Sequence, residues 1–95
     1  MAILTKFELT PKEETGTELI DFLQRIIPAT RNYQGCTGAS FGLSQKPPKT
    51  VLLIEEWDSL QDFEAYLNWR VERGDFATLT SLMASDPIVT HFERG

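Results

Sequence analysis

The stretch VLLIEEWDSLQDFEAY, from Val51 to Tyr66, constrains this chain most. Val51-Leu52-Leu53-Ile54 is an unbroken aliphatic run, which reads as a strand buried on both faces, because a half-buried strand would alternate apolar with polar. Glu55-Glu56-Trp57 carries the strand on to Asp58-Ser59. Ser59 and Asp62 have capping-box spacing, with Asp in place of the usual Glu. Leu60, Phe63, Tyr66 and Leu67 then recur at helical spacing, and the helix runs to about Arg73, where Gly74 stops it. A buried strand that turns straight into an amphipathic helix is the centre of a small α+β domain.

The flanks supply the other elements. Ile3 to Thr10 alternates, with Ile3, Thr5, Phe7 and Leu9 on one face. Leu19, Phe22, Leu23 and Ile26 mark an amphipathic helix, for which Thr15 and Glu18 have capping-box spacing. Pro28 falls inside that pattern and should kink or end the helix. Cys36 to Leu43 is a second strand, with Thr37, Ala39, Phe41 and Leu43 on one face and Gly38, Ser40 and Gly42 on the other. Asp75 can cap a short helix striped by Phe76, Leu79, Leu82 and Met83. Ile88 to Glu93 is the last strand. The order is β-α-β-β-α-β with an extra short helix before the last strand, a ferredoxin-like pattern over one domain, residues 1–95. Right-handed crossovers then predict an antiparallel four-stranded sheet of order 4-1-3-2 with both main helices on one face. The other face is left open, holding Leu4, Val89 and either Val51/Leu53 or Leu52/Ile54, with Lys6, Glu8, His91 and Glu93 beside them.

Charge and residue counts exclude several functions. A net charge of −5 argues against nucleic acid and against acidic lipid surfaces as partners. One cysteine, Cys36, permits no internal disulfide and no cysteine-based metal site, and one histidine, His91, permits no histidine-rich site. The longest aliphatic run is far short of the roughly 20 residues a membrane span needs. With no N-terminal signal visible, the expected location is the cytoplasm.

Gly35-Cys36-Thr37-Gly38, Glu55-Glu56-Trp57-Asp58-Ser59 and Phe63-Glu64-Ala65-Tyr66-Leu67 together resemble the antibiotic biosynthesis monooxygenase family. Tyr66-Leu67-Asn68-Trp69-Arg70 with Glu72-Arg73-Gly74-Asp75 is similar to its quinol monooxygenase subgroup. The resemblance implies a homodimeric α/β barrel in which a second copy covers the open sheet face. It also implies oxygenation of a quinol or polycyclic phenol by molecular oxygen, with no metal, flavin or haem. An electron-rich phenolate can pass an electron to oxygen itself, so the protein need supply only a dry pocket, a proton route and donors to the phenolate. Haem-degrading proteins of the same fold place their ligating histidine where this chain has Thr80, so haem is not expected. The alternative is a non-catalytic dimeric barrel that binds a small aromatic ligand or scaffolds a pathway.

Six residues are candidates for such a site. His91, with an ordinary pKa near neutrality, is the candidate proton acceptor; a lone strand histidine can equally be structural. Tyr66 and Trp69 share a helix face and Arg70 lies four after Tyr66, so an aromatic wall with a cation at its edge would suit a phenolate. The competing reading packs both rings in the core while Arg70 reaches water. Trp57 is either a pocket wall or core, and Asn68 either bonds a substrate oxygen or faces solvent. Arg31 and Tyr33 can gate the pocket; Cys36 reads as a small buried hydrophobe.

Overall fold

The computed structural model describes all residues, 1–95. The strands are β1 (Ile3–Leu9), β2 (Cys36–Leu43), β3 (Val51–Trp57) and β4 (Ile88–Glu93); the helices are α1 (Gly16–Arg31), α2 (Leu60–Glu72) and α3 (Asp75–Ser81). The sheet is antiparallel with order β2-β3-β1-β4, the expected 4-1-3-2 read from the other edge. β3 is central because it pairs with β2 across the Ser44–Thr50 hairpin and with β1 along its whole length. Val51, Leu53 and Trp57 meet Ile3, Phe7 and Leu9 on the face under the helices, where Leu19, Phe22, Leu23, Ile27 and Phe63 close the core. Burying a side chain of this size contributes about 1.5–3 kcal/mol, so this face carries most of the fold's stability.

Three expectations are corrected by register. β3 is buried on one face only: Val51, Leu53, Glu55 and Trp57 point inward, while Leu52 and Ile54 are about 40% exposed on the open side. The aliphatic run therefore does not mean helices on both sides within one chain. β4 pairs with β1 so that Thr5 faces His91, Phe7 faces Val89 and Ile3 faces Glu93. Cross-strand partners share a face, so Val89, His91 and Glu93 lie on the helix side, and Ile88, Thr90 and Phe92 join Leu4, Lys6 and Glu8 on the open side. Lys6 Nζ stands 5.7 Å from the Phe92 ring there. In β2 the register shifts between Cys36 and Gly38, so Thr37 is a bulged, exposed residue and Cys36, not Thr37, shares the inner face with Ala39 and Phe41.

Helix ends follow their local chemistry, with tertiary bonds deciding the exceptions. Ser59 caps α2, its Oγ accepting from the Asp62 N–H at 3.1 Å. Thr15 occupies the N-cap of α1 but makes no side-chain cap bond; its hydroxyl donates instead to the Leu82 carbonyl at 2.6 Å, tying α1 to the end of α3. Pro28 does not end α1, which continues to Arg31. Proline removes a single N–H here, and the turn around it is braced by one bond within α1 and one from α2. The Ile26 carbonyl accepts from the Thr30 hydroxyl (3.3 Å) and from Arg70 Nη2 (2.8 Å). Gly74, at φ +82°, ends α2 and is itself the N-cap of α3, so Asp75 is the first helical residue rather than the cap. Its carboxylate is thereby free to pair with arginines. Gly35, at φ +88°, passes so close to α2 that a Cβ would lie 2.4 Å from Asp62 Cγ.

Candidate functional site

Between the inner sheet face and the three helices lies a cavity of about 40 Å³, floored by Phe7 and Leu53. That volume holds about three waters. Phe22, Ile26 and Leu67 line its sides, together with Phe76 and Leu79 of α3. The polar groups of its lining are Thr30, Glu55, Tyr66, Arg70 and Asp75.

Arg70 organises this polar wall. It is 5% exposed, because its position four after Tyr66 turns it inward under α1. Nε donates to the Tyr66 hydroxyl (2.9 Å), Nη1 to Asp75 Oδ2 (2.8 Å), and Nη2 to the Ile26 carbonyl (2.8 Å) and Thr30 Oγ1 (3.0 Å). These bonds use four of the five N–H groups a guanidinium carries. Its Cζ also lies 4.7 Å from the Trp69 ring centre and 5.3 Å from that of Tyr66. Burial works against the charged guanidinium, but the bonds to Tyr66 and Asp75 outweigh it and hold Arg70 ionised. For Asp75, burial pushes the pKa up, yet Arg70 and Arg73 prevail and keep the carboxyl below its ordinary value. Burial raises Tyr66, and the nearby Glu55 charge adds to this, so its phenol stays protonated. The Tyr66 and Thr30 hydroxyls are 2.7 Å apart.

Glu55 is a further member of the site that the alternation of β3 itself places inward. Its neighbours on the inner face, Leu53 and Trp57, are apolar, so alternation puts a carboxyl into the core. It is 2% exposed, and Trp57 Nε1 donates to its Oε1 at 3.1 Å. Burial raises its pKa to about 7, against the smaller opposing effects of the Trp57 N–H and the Arg70 charge.

The other candidates are dispersed. Tyr66 and Arg70 share the cavity wall. Trp69 lies outside the lining, against Tyr33 (5.1 Å between ring centres) and under Arg70 and Arg73. Trp57 is fully buried among Tyr33, Phe63 and Tyr66, as core that orients Glu55 rather than as a wall. Asn68 faces solvent. His91 is on the exposed edge strand, bonded through Nδ1 to Thr5 Oγ1 (2.9 Å) and packed on Phe63, away from the cavity lining. Arg31 Nε donates to the Ala39 carbonyl (2.9 Å), which fastens α1 to β2. An inward Arg, Glu and Tyr beside apolar side chains can stabilise negative charge on an oxygen placed among them.

Comparison with known proteins places the fold and narrows the function. The family model described as "Antibiotic biosynthesis monooxygenase" matches residues 2–70. YgiN of Escherichia coli K12, described as a "probable quinol monooxygenase", is 21% identical over 75 residues, covering 70% of this chain and 72% of that protein. A crystal structure from Deinococcus radiodurans, described as a "putative antibiotic biosynthesis monooxygenase", superposes with a TM-score of 0.86 at 25% identity, over 98% of this chain and 92% of that one. A conserved protein from Methanosarcina mazei Go1 superposes with a TM-score of 0.89 at 16% identity, over all of this chain and 94% of that one, a likeness of fold alone. No helix is long and apolar enough to cross a membrane.

Proposed function

Because this chain belongs to the antibiotic biosynthesis monooxygenase family, we propose that it oxygenates a quinol or polycyclic phenol with molecular oxygen in the cavity between sheet and helices. The observation that carries this reading is the layout of that cavity: apolar floor and sides, with Arg70, Tyr66, Thr30 and Glu55 gathered on its wall. A neutral aromatic ring gains by leaving water for such a lining. Its oxygen, placed against the Arg70 end, meets a guanidinium already held by four bonds, so no reorganisation is needed as charge develops.

The stoichiometry closes without an external reductant. A dihydroxyarene and one O₂ give a hydroxyquinone and one water, the quinol supplying all four electrons. No resident metal, flavin or haem is required by that balance, and the reading takes the protein to work without one. A second copy of the chain covers the open sheet face, where Leu52, Ile54, Ile88 and Phe92 are exposed.

One observation favours a second reading. A volume of about 40 Å³ is well below the roughly 300 Å³ at which small-molecule sites begin, so a ring enters only if the lining side chains give way. A filled interior would suit a structural or scaffolding barrel. Oxygen uptake by chelator-treated protein with a hydroquinone panel separates the two. One O₂ consumed per quinol above the protein-free blank, with no hydrogen peroxide released and oxygen from labelled O₂ found in the product, supports oxygenation; uptake equal to the blank across the panel contradicts it.

A further inference from the structure

We infer that Glu55 is the proton acceptor of this site: its Oε2 takes the proton of a phenolic hydroxyl in the cavity, while Arg70 holds the oxygen left behind. The inference rests on the reading of the cavity as a phenol site. Its own support is geometric. Glu55 lies in the cavity lining at 2% exposure, and its one hydrogen bond is the Trp57 Nε1 donation to Oε1. No fully buried side-chain oxygen in the molecule lacks a partner. Oε2, which has none, is therefore not sealed in protein, and Glu55 is one of the residues that line the cavity. Trp57 fixes one oxygen of the carboxyl and aims the other.

The remaining groups around the cavity are poor acceptors. Asp75 is held ionised by Arg70 and Arg73, which makes it a weak base. Tyr66 stays protonated, and Thr30 does not ionise in this range. On the flanking strands, Thr5 lies across from Glu55, and His91 is bonded to Thr5 but outside the lining. Cys36 on β2 is a thiol held protonated, first by burial and then by the charges of Glu55 and Glu56. Arg70 is the one cation in the lining, and it stabilises both the Glu55 carboxylate and the incoming phenolate.

The step itself is simple. The phenolic O–H bond breaks, its proton passes to Glu55 Oε2, and its electron pair stays on the phenolate oxygen near Arg70. The phenolate then gives electrons to O₂ as its ring carbon forms a C–O bond, and the Glu55 carboxylic acid protonates the distal oxygen. The O–O bond and the C–H bond of that ring carbon then break, so the distal oxygen leaves as water with the ring proton and a carbonyl remains. A base that ionises near neutrality can both take and return a proton at little cost.

An anaerobic binding experiment tests this without oxygen chemistry. Two probes, 1-naphthol and its methyl ether 1-methoxynaphthalene, are titrated into wild type and Glu55→Gln between pH 5.5 and 8.5. A hydroxyl donating to a carboxylate binds better than one donating to a carboxylic acid. Wild-type affinity for 1-naphthol should therefore rise about tenfold across that range. The ether, which has no proton to give, should bind wild type with little change, and E55Q should respond to neither pH nor hydroxyl. Binding of both probes with equal, pH-independent affinity in wild type overturns the role of Glu55 and leaves the phenol site standing. If neither probe binds at any pH, the phenol site falls and the inference with it. A mere packing role for Glu55 would shift both probes together and not separate hydroxyl from ether.

Discussion

Replacing Glu55 by glutamine should make the protein more stable, and increasingly so as pH rises. In the unfolded chain Glu55 ionises near its ordinary 4.5; in the fold burial raises this to about 7. Its folded pKa lies above the unfolded one, so its contribution is fully present below about pH 4.5 and lost as pH rises through about 7. The gap corresponds to about 3 kcal/mol, most of which falls between pH 5 and 8.5. Glutamine keeps an Oε1 that can accept from Trp57 Nε1 but carries no charge to bury. Urea unfolding followed by tryptophan fluorescence, at fixed protein concentration, measures both proteins at both pH values. The stability advantage of E55Q over wild type should grow by about 2–3 kcal/mol from pH 5 to 8.5, or about 10–20 °C in thermal midpoint for a domain of this size. An advantage that is the same at both pH values would mean that Glu55 ionises like a surface carboxylate, and the burial argument would be wrong.

Arg70→Ala should cost roughly 3–5 kcal/mol, because it strands Asp75, Tyr66, Thr30 and the Ile26 carbonyl together; thermal unfolding measures it. Arg70→Lys should recover only part, since an ammonium cannot span three helices. Gly35→Ala should cost at least about 2 kcal/mol, and pairing it with Asp62→Ala should cost less than the two singly, as a double-mutant cycle would read. If α3 lifts to admit a ring, its amides should exchange with solvent faster than those of β1 and β3; uniform exchange across all three would argue against that route. Ile54→Asp should halve the sedimenting mass if a second copy covers the open face; an unchanged mass would place the dimer contact elsewhere or remove it.

The element order, the sheet order and the Ser59 cap were legible because each rests on local periodicity or on a handedness rule that holds whatever the tertiary context. The errors have another origin. The side of the sheet to which His91 points depends on how β4 registers against β1, and alternation within β4 alone fits either choice. Val51–Ile54 looked buried on both sides because an aliphatic run does not say whether the second cover belongs to the same chain. The turn around Pro28 is braced by the Arg70 bond to the Ile26 carbonyl, which arrives from 44 residues away and leaves no trace in local pattern. Of the site, Tyr66 and Arg70 were legible in their helical spacing; Glu55 was not, because Glu55-Glu56-Trp57 also carries the family resemblance. A carboxyl in the apolar phase of a strand was the available signal.

The central claim is that the space walled by Arg70, Tyr66 and Glu55 receives an aromatic ring. Mapping the amide shift changes of the ¹⁵N-labelled protein on adding 1-naphthol under argon tests it most directly. The largest changes should fall on Thr30, Glu55, Tyr66, Arg70 and the residues of α3. Changes centred on Leu52, Ile54 and Phe92 of the open sheet face, with the cavity residues unmoved, would contradict it.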